Sequence, residues 1–452
     1  MGKYFGTDGF RGRANEVLTA EQAFRVGRFL GRYFSDLMQR RARILLGKDT
    51  RRSSYMLEYS IAAGIAASGG DVFLLHVTTT PSVSYLVRAD AFDCGVMISA
   101  SHNGFEDNGI KLVNSDGEKA DEELISRLEE YLDSEEILPR ATGAEIGCTV
   151  DYVSGRNRYL GYLLSLSACS FRGWRVGLDC ANGSAWSLAK AVFDALGAQT
   201  FVIGAQPDGT NINRGCGSTH IGALQKFVRE NRLDVGFAFD GDADRCICVD
   251  ERGEVANGDA ILYVCARYLS SRGELEGDTV VATVMSNRGL LRSLKKSGIE
   301  CRCSPVGDRF VYAEMLSAGS MLGGESSGHI IFRKHAVTGD GILTSLKVME
   351  AMIEQKAPLS VLTAGLARDP QEIRSVSVGD KNRVLSLPQV KEAIFMAEEC
   401  LRDCGRVFVR ASGTEQKIRI LVECEDGAEC TQIADRLVEK IISAEGRSCA
   451  ES

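Results

Sequence analysis

The residues best suited to chemistry in this 452-residue chain sit in four short polar loops. The first lies in GVMISASHNGFEDNGIKLV, residues 95–113, where an apolar run gives way to Ser101, His102, Asn103, Asp107, Asn108 and Lys111. A hydrolase elbow needs G-x-S-x-G, and here Ser99 and Asn103 occupy the glycine positions around Ser101. On a strand, neighbouring side chains face opposite sides, so the adjacency of Ser101 and His102 implies no hydrogen-bonded pair. Taken alone, a polar turn closing a strand is the commoner outcome for such a loop. The company it keeps points to chemistry.

In FAFDGDADRCICVDERG, residues 237–253, Asp240, Asp242 and Asp244 alternate with small residues. In an extended loop three carboxylates so spaced can converge on one hard cation. An EF-hand is the competitor, with Glu251 at its twelfth position, but Arg245 stands where its sharp turn needs Gly and the flanks read as strands. Three carboxylates leave octahedral positions open, as suits Mg²⁺ that also binds a phosphate oxygen. An acidic turn with no cation would leave three like charges repelling. The third loop, LGGESSGHIIF, residues 322–332, alternates Glu325, Ser327 and His329, an acceptor, a hydroxyl and an imidazole suited to a hydroxyl-rich ligand. The fourth, RASGTEQKIR, residues 410–419, sets Arg410 and Arg419 around Ser412, Gly413 and Thr414, a combination that fits a phosphate. It is not a Walker A loop. Nor is LLGKDTR, because Ala42 stands where the upstream Gly belongs. A plain hairpin turn is the alternative, and the arginines weigh against it.

Repeated α/β elements are expected to position these loops. RILLGKDTRRSSYMLEYSIAAGIAASGGDVFLLHV, RVGLDCANGSAWSLAKAVFDALGAQTFVIGA and TVVATVMSNRGLLRSLKKSGIECRCSPV each read as strand, turn, amphipathic helix and strand. Gly64 to Gly70, Gly197 and Gly298 fall where a left-handed helix end is expected. The last segment, from GRVFVRASGTEQ onward, reads as two strands around a tight loop and then one helix. The expected fold is therefore α/β, three related mixed α/β domains followed by a smaller C-terminal α+β domain; their arrangement around a central cleft is what the family resemblance given below implies. Boundaries are placed at 1–147 for the serine loop, 148–252 for the metal loop, 253–369 for the sugar loop and 370–452 for the phosphate loop.

With 53 Lys+Arg against 61 Asp+Glu, the net charge of -8 argues against general attraction to nucleic acid or an anionic membrane. A local basic pocket for a small anion is still compatible with it. The hydrophobic fraction of 44% and charged fraction of 25% are ordinary for a globular protein. The 15 cysteines lack metal-site spacing and are expected to be mostly buried free thiols in a reducing, cytoplasmic setting. Neither a signal-peptide core, nor a bilayer-length apolar run, nor a convincing lipidation signal is read from the chain.

Together the four loops, in order, resemble the α-D-phosphohexomutase superfamily, from YFGTDGFRGRANE to RASGTEQKIRILVE. The motifs GKDTRRSSYMLE, PDGTNIN, VGDRFV and TGDGIL look most like the branch that acts on glucosamine phosphates. The resemblance implies an isomerase that interconverts glucosamine 6-phosphate and glucosamine 1-phosphate through phosphoserine and a 1,6-bisphosphate, feeding the amino-sugar route to cell-wall precursors. It implies that Ser101 carries the phosphoryl group and ligates Mg²⁺ with Asp240, Asp242 and Asp244. Arg11, Lys111 and Arg245 would steady that group, with His102 nearby and His329 joining in acid/base work. Gly307, Asp308, Arg309, Glu325 and Ser327 would read the sugar, and Arg410, Ser412, Gly413 and Thr414 would grip the other phosphate. Glucosamine or glucose 1,6-bisphosphate is the implied activator, and a homodimer the implied assembly. Family members usually have Pro where Gly104, Ala411 and Gln416 stand here, so looser loops are expected. The alternatives are a phosphomannomutase or phosphoglucomutase on the same scaffold, a Mg²⁺-dependent sugar phosphatase, and a silent sugar-phosphate binder.

Overall fold

The computed structural model describes residues 3–6, 8–402, 404–412 and 416–450, with side chains through 446. The chain divides into two compact units. The first comprises Met1–Met285 and Ser297–Gly365, and the second Ser286–Lys296 and Leu366–Ser452.

Three sheets form the first unit, and each has a parallel core built by one of the repeats read from the sequence. Arg43–Lys48 pairs in parallel with Asp71–Val77, Arg175–Asp179 with Gln199–Ile203, and Thr279–Thr283 with Glu300–Ser304. The central strands Arg43–Lys48 and Cys94–Ile98 are buried almost throughout, which explains their continuous apolar reading rather than an alternating one. In each sheet an antiparallel hairpin follows this core: Cys94–Ile98 with Asp107–Val113, Val235–Phe239 with Cys246–Asp250, and Leu322–Gly324 with Ile330–Phe332. The serine, acidic and Glu325 loops are the tips of these three hairpins. One architectural position, used three times, thus carries the candidate chemistry.

Helix Ala20–Met38 opens on a capping box in which Thr19 and Gln22 satisfy each other's backbone N–H groups. It crosses helix Arg52–Ala67 so closely that a Cβ on Gly64 would lie 2.2 Å from the Phe24 carbonyl oxygen, and one on Gly27 2.2 Å from that of Ile61. Gly64 is therefore a contact glycine inside its helix and not a helix end, which corrects the sequence expectation. The turn is made at Gly69, with φ +86°. Gly197 and Gly298 do adopt the expected left-handed conformation, with φ of +93° and +78°.

The second unit is an antiparallel sheet with Lys417–Cys424 between Gln371–Ser377 and Gly405–Ala411. Helices Lys381–Ser386, Pro388–Cys400, Gly427–Ala450 and, from far upstream, Arg288–Lys296 belong to it. The sequence reading found two of its three strands and the last helix. Gln371–Ser377 was missed because polar residues dominate it, and Val376 is its one buried side chain. The architecture is three α/β domains plus a C-terminal α+β domain.

Most of the described cysteines are free, as expected, and Cys94, Cys180, Cys216, Cys246, Cys248 and Cys265 are buried, whereas Cys148, Cys303 and Cys400 are exposed. Cys424 and Cys430 are the exception among the described residues, because they form a disulfide between the end of a strand and the facing helix. Among the described residues, no helix is long and apolar enough to cross a membrane.

Candidate active site

Ser101 follows strand Cys94–Ile98 in a left-handed backbone conformation, φ +52°, and is 2% exposed. That conformation is unusual for a residue with a Cβ. It breaks the strand alternation assumed from sequence, so Ser101 Oγ lies 3.4 Å from His102 Nδ1, correcting the expectation that the two side chains diverge. Ser101 Oγ also donates to Asp240 Oδ2 at 2.5 Å.

Asp240, Asp242 and Asp244 are buried, each placing a carboxylate oxygen within 4.8 Å of the others. The hairpin tip that holds them turns on Ala243, φ +57°, whose N–H donates to the Asp240 carbonyl at 3.1 Å. Gly241 is required there, since a Cβ would lie 2.5 Å from the Ser101 carbonyl oxygen. Asp242 Oδ1 and Asp244 Oδ1 are buried without a hydrogen-bond partner. Unpartnered buried carboxylate oxygens are costly unless something cationic completes them. Converging oxygens with no soft ligand among them fit a hard divalent cation.

Lys111 Nζ lies 2.7 Å from Asp242 Oδ2 and 3.4 Å from Asp244 Oδ2. Burial alone would lower its pKa, but Asp242, Asp244 and Asp8 more than offset that and raise it, so the ammonium is charged. Burial, reinforced by Asp244 and Asp242, pushes Asp240 well above the usual carboxylate range. Burial acts the same way on Asp244, but Lys111, His329 and Arg245 override it and hold that carboxyl well below the range. His102 is lowered to about 4 by burial and then by Arg245 and Arg11, which leaves it neutral.

Arg11 Nη2 pairs with Asp8 at 2.7 Å, while Arg11 Nε and Arg245 Nε are buried without hydrogen-bond partners. Lys119 bridges Asp8 and Asp308 at 2.8 and 2.6 Å, tying the first sheet's domain to the third. His329 is 3% exposed and lies 3.8 Å from both Asp244 and Asp308. Burial would lower its imidazole, but these carboxylates and Glu325 pull it up to about 9. The Gly339 N–H, however, donates into His329 Nε2 at 2.9 Å, which requires a lone pair there. We assign the neutral form with its proton on Nδ1, facing Asp244, because a protonated Nε2 could not accept that bond.

Glu325 accepts from the Gly307 N–H at 3.0 Å, and Gly307, φ +124°, leads into helix Asp308–Ala318. Arg309 is exposed and pairs with Glu122 at 3.0 Å. Ser327 Oγ is buried without a partner. In the second unit, Arg410 sits opposite Arg419 in the strand register, and the Ser412 N–H donates to the Lys417 carbonyl at 2.8 Å. Gly413 and Thr414 lie outside the described residues. The first unit thus gathers Ser101, His102, Lys111, Asp240, Asp242, Asp244, Arg245 and His329 around one point. Asp8, Lys119 and Thr80, whose hydroxyl donates to Asp242, were not singled out from sequence. The TDG and GEK stretches beside the first two were the only available signal.

Three hairpin tips bring together a serine, a carboxylate cluster and the Glu325 loop, and matches to known families say which class of protein carries this architecture. Models described as phosphoglucomutase/phosphomannomutase alpha/beta/alpha domains I, II and III match residues 2–138, 157–253 and 257–369, and the C-terminal domain model matches 373–440. The chain belongs to this family. A phosphoglucosamine mutase of Lachnospira eligens is 57% identical over 445 residues, 98% of this chain and 99% of that protein. The phosphoglucosamine mutase of Bacillus subtilis is 45% identical over 447 residues, 99% of this chain and 100% of that one. Among solved structures, a phosphoglucomutase/phosphomannomutase family protein from Burkholderia thailandensis superposes with TM-score 0.78 at 22% identity, covering 98% of both chains. Aspergillus fumigatus N-acetylphosphoglucosamine mutase, in complex with GlcNAc-6P and magnesium, superposes with TM-score 0.69 at 17% identity, covering 98% of this chain and 96% of that one.

Proposed function

We propose that this chain interconverts glucosamine 6-phosphate and glucosamine 1-phosphate as a phosphoglucosamine mutase, with Ser101 as the residue that carries the phosphoryl group. The observation that carries this reading is Ser101 Oγ held 2.5 Å from Asp240 within a buried carboxylate cluster in which Asp242 Oδ1 and Asp244 Oδ1 lack hydrogen-bond partners. Asp240, Asp242 and Asp244 would hold Mg²⁺ together with the phosphorylated Ser101. Bound there, the ion would neutralise charge on the transferring phosphoryl group.

In the proposed cycle, the bond from phosphorus to Ser101 Oγ breaks as a sugar hydroxyl oxygen bonds to phosphorus, giving a 1,6-bisphosphate. The intermediate turns over and Ser101 Oγ takes back the other phosphoryl group. Phosphoryl transfer asks little covalent chemistry of the protein beyond positioning, charge neutralisation and proton handling. Lys111, Arg11 and Arg245 supply positive charge. Neutral His102 and His329 are placed to relay the sugar hydroxyl's proton. Glu325, Ser327, Gly307, Asp308 and Arg309 read the sugar, and Arg410, Ser412, Gly413 and Thr414 grip the second phosphate. Glucosamine or glucose 1,6-bisphosphate primes Ser101. The protein works as a cytoplasmic homodimer on a small sugar phosphate, without nucleic acid, and its domain boundaries along the chain fall near residues 147, 252 and 369.

The test compares kcat/KM for glucosamine 1-phosphate, glucose 1-phosphate and mannose 1-phosphate with parallel detection of free phosphate, in wild type and Ser101→Ala. Preference for the amino sugar, with turnover abolished in Ser101→Ala, supports the reading. Preference for glucose or mannose keeps the mechanism and changes the substrate. Phosphate release at the turnover rate indicates a phosphatase, and full activity of Ser101→Ala removes the phosphoserine.

A further inference from the structure

Two of the motifs read from the sequence, GKDTRRSSYMLE and PDGTNIN, contribute no group to the proposed cycle, yet both end at the backbone of the serine loop. Arg51, from the first, is 0% exposed. Its Nε donates to Asp49 Oδ2 at 2.8 Å, its Nη2 to the carbonyls of Ser101 at 2.9 Å and Asn103 at 3.0 Å, and its Nη1 to the carbonyl of Gly104. Asn213, from the second, is 5% exposed and donates through Nδ2 to the same two carbonyls, Ser101 at 2.8 Å and Asn103 at 2.9 Å.

A buried guanidinium needs a counter-charge and a full set of acceptors. Asp49 supplies the charge, and the serine loop supplies three acceptors. Asp49 also accepts from Ser99 Oγ at 2.7 Å, and Ser99 Oγ in turn accepts from the Ser101 N–H at 2.9 Å. Both ends of Ser101 are therefore fastened to one buried charge pair. The residue between those ends has the disfavoured φ of +52° that turns its Oγ toward Asp240. Arg51 belongs to the first sheet's domain, whereas Asn213 belongs to the domain that carries the acidic hairpin. Asn213 is itself anchored there by its N–H, which donates to the Ala181 carbonyl at 2.8 Å. Their shared hold on the Ser101 carbonyl sets the serine against the carboxylates across a domain boundary. Arg51 also holds the carbonyl of Gly104, the position at which the family resemblance expects Pro.

We propose that Arg51 and Asn213 are positioning residues for phosphoryl transfer: through the carbonyls of Ser101 and Asn103 they hold Ser101 in the left-handed conformation that presents Oγ to the carboxylate cluster. This rests on the phosphoserine reading above. Arg51→Ala would empty a buried charge site and compromise folding, so Asn213 carries the test. Asn213→Ala removes the donor. Asn213→Asp keeps the shape but turns an acceptor on two carbonyls.

Both variants are compared with wild type for kcat, KM, melting temperature and the rate at which glucose 1,6-bisphosphate phosphorylates Ser101, followed by intact mass. Misplacing a reacting atom by about 1 Å costs on the order of a hundredfold in rate. The expected result is a loss of that order in kcat and in the phosphorylation rate for Asn213→Ala, a larger loss for Asn213→Asp, and a KM within about twofold of wild type, in protein that remains folded at the assay temperature. Wild-type kcat and phosphorylation rate in either folded variant overturn the proposal. So do equal losses in the two variants that track a fall in melting temperature. A wild-type protein that never becomes phosphorylated at Ser101 fails the phosphoserine reading instead, and the mass measurement separates the two failures.

Discussion

The same substitution, Gly to Ala in a helix interior, is expected to have opposite effects at two places in this chain. At Gly64 an added Cβ would meet only backbone atoms of the facing helix: Phe24 O at 2.2 Å, Arg28 N at 2.8 Å and Gly27 C at 3.0 Å. None of these can rotate aside, so restoring ordinary contact requires the helices to part by about 1 Å, loosening a core that includes Val26, Leu30, Leu57, Ile61 and Ile65. Overpacking of this kind costs about 1–3 kcal/mol, and with a backbone obstacle the upper end applies. Helix propensity returns about 1 kcal/mol, leaving a net loss of about 2 kcal/mol. At Gly161, exposed in helix Val153–Ser165, nothing lies within 4 Å of the added Cβ, so only the propensity gain of about 1 kcal/mol applies. Urea unfolding followed by circular dichroism measures both. At a slope of about 2 kcal/mol per M, Gly64→Ala lowers the midpoint by about 1 M and Gly161→Ala raises it by about half as much. An unchanged or raised midpoint for Gly64→Ala would refute the argument that backbone approach sets this helix crossing.

Two further outcomes follow from buried carboxylates. Asp340 caps helix Gly341–Glu354, accepting from the Leu343 N–H at 2.9 Å and the Tyr159 hydroxyl at 2.7 Å, and burial raises it from 3.8 to about 6. The folded state therefore binds a proton that the unfolded state has released between those two values, and stability falls as pH rises through the window. Asp340→Asn keeps the cap without titrating, so its melting-temperature advantage over wild type should grow from pH 4 to pH 7, by up to about 3 kcal/mol; an advantage that shrinks would contradict the assignment. Mg²⁺ added to metal-free protein should raise its melting temperature, by about 2.7 kcal/mol of stability at a hundred times the dissociation constant, and Asp242→Asn should abolish most of that shift. A full shift in the variant would place the ion elsewhere.

The parallel cores were legible because each repeat couples an apolar run to a helical periodicity and closes on a glycine. The four loops stood out because small and polar residues interrupt apolar strands at places where a buried strand would not afford them. Gly64 misled because a glycine near a helix end has the same local appearance whether it caps that helix or touches another, and its reason, Phe24, comes from a different helix. Asp8, Thr80 and Lys119 join the carboxylate and cation network only through topology, from short stretches, TDG and GEK among them, that do not say which partners the fold brings. The contact between Ser101 and His102 depends on the sign of one φ angle, and no residue type at position 101 signals it. The pairing of Cys424 with Cys430 likewise requires the strand-to-helix turn that sets their Cα atoms 5.8 Å apart.

Helix Arg288–Lys296 has a consequence for anyone who cuts this protein at its sequence boundaries. It lies within the stretch matched by the domain III model, residues 257–369, yet its polar partners are in the second unit. The Arg288 N–H donates to Glu423 at 2.7 Å, Arg292 pairs with Asp369 and Glu425, and Asn287 exchanges hydrogen bonds with Asp369 at 2.9 Å in both directions. A fragment that begins after residue 369 would lack this helix, and one that ends there would retain it beside none of its strand partners. A C-terminal piece prepared from 370 onward is thus a poor proxy for the domain. Swapping that domain between homologues requires the helix to be exchanged with it, as a second, separate graft.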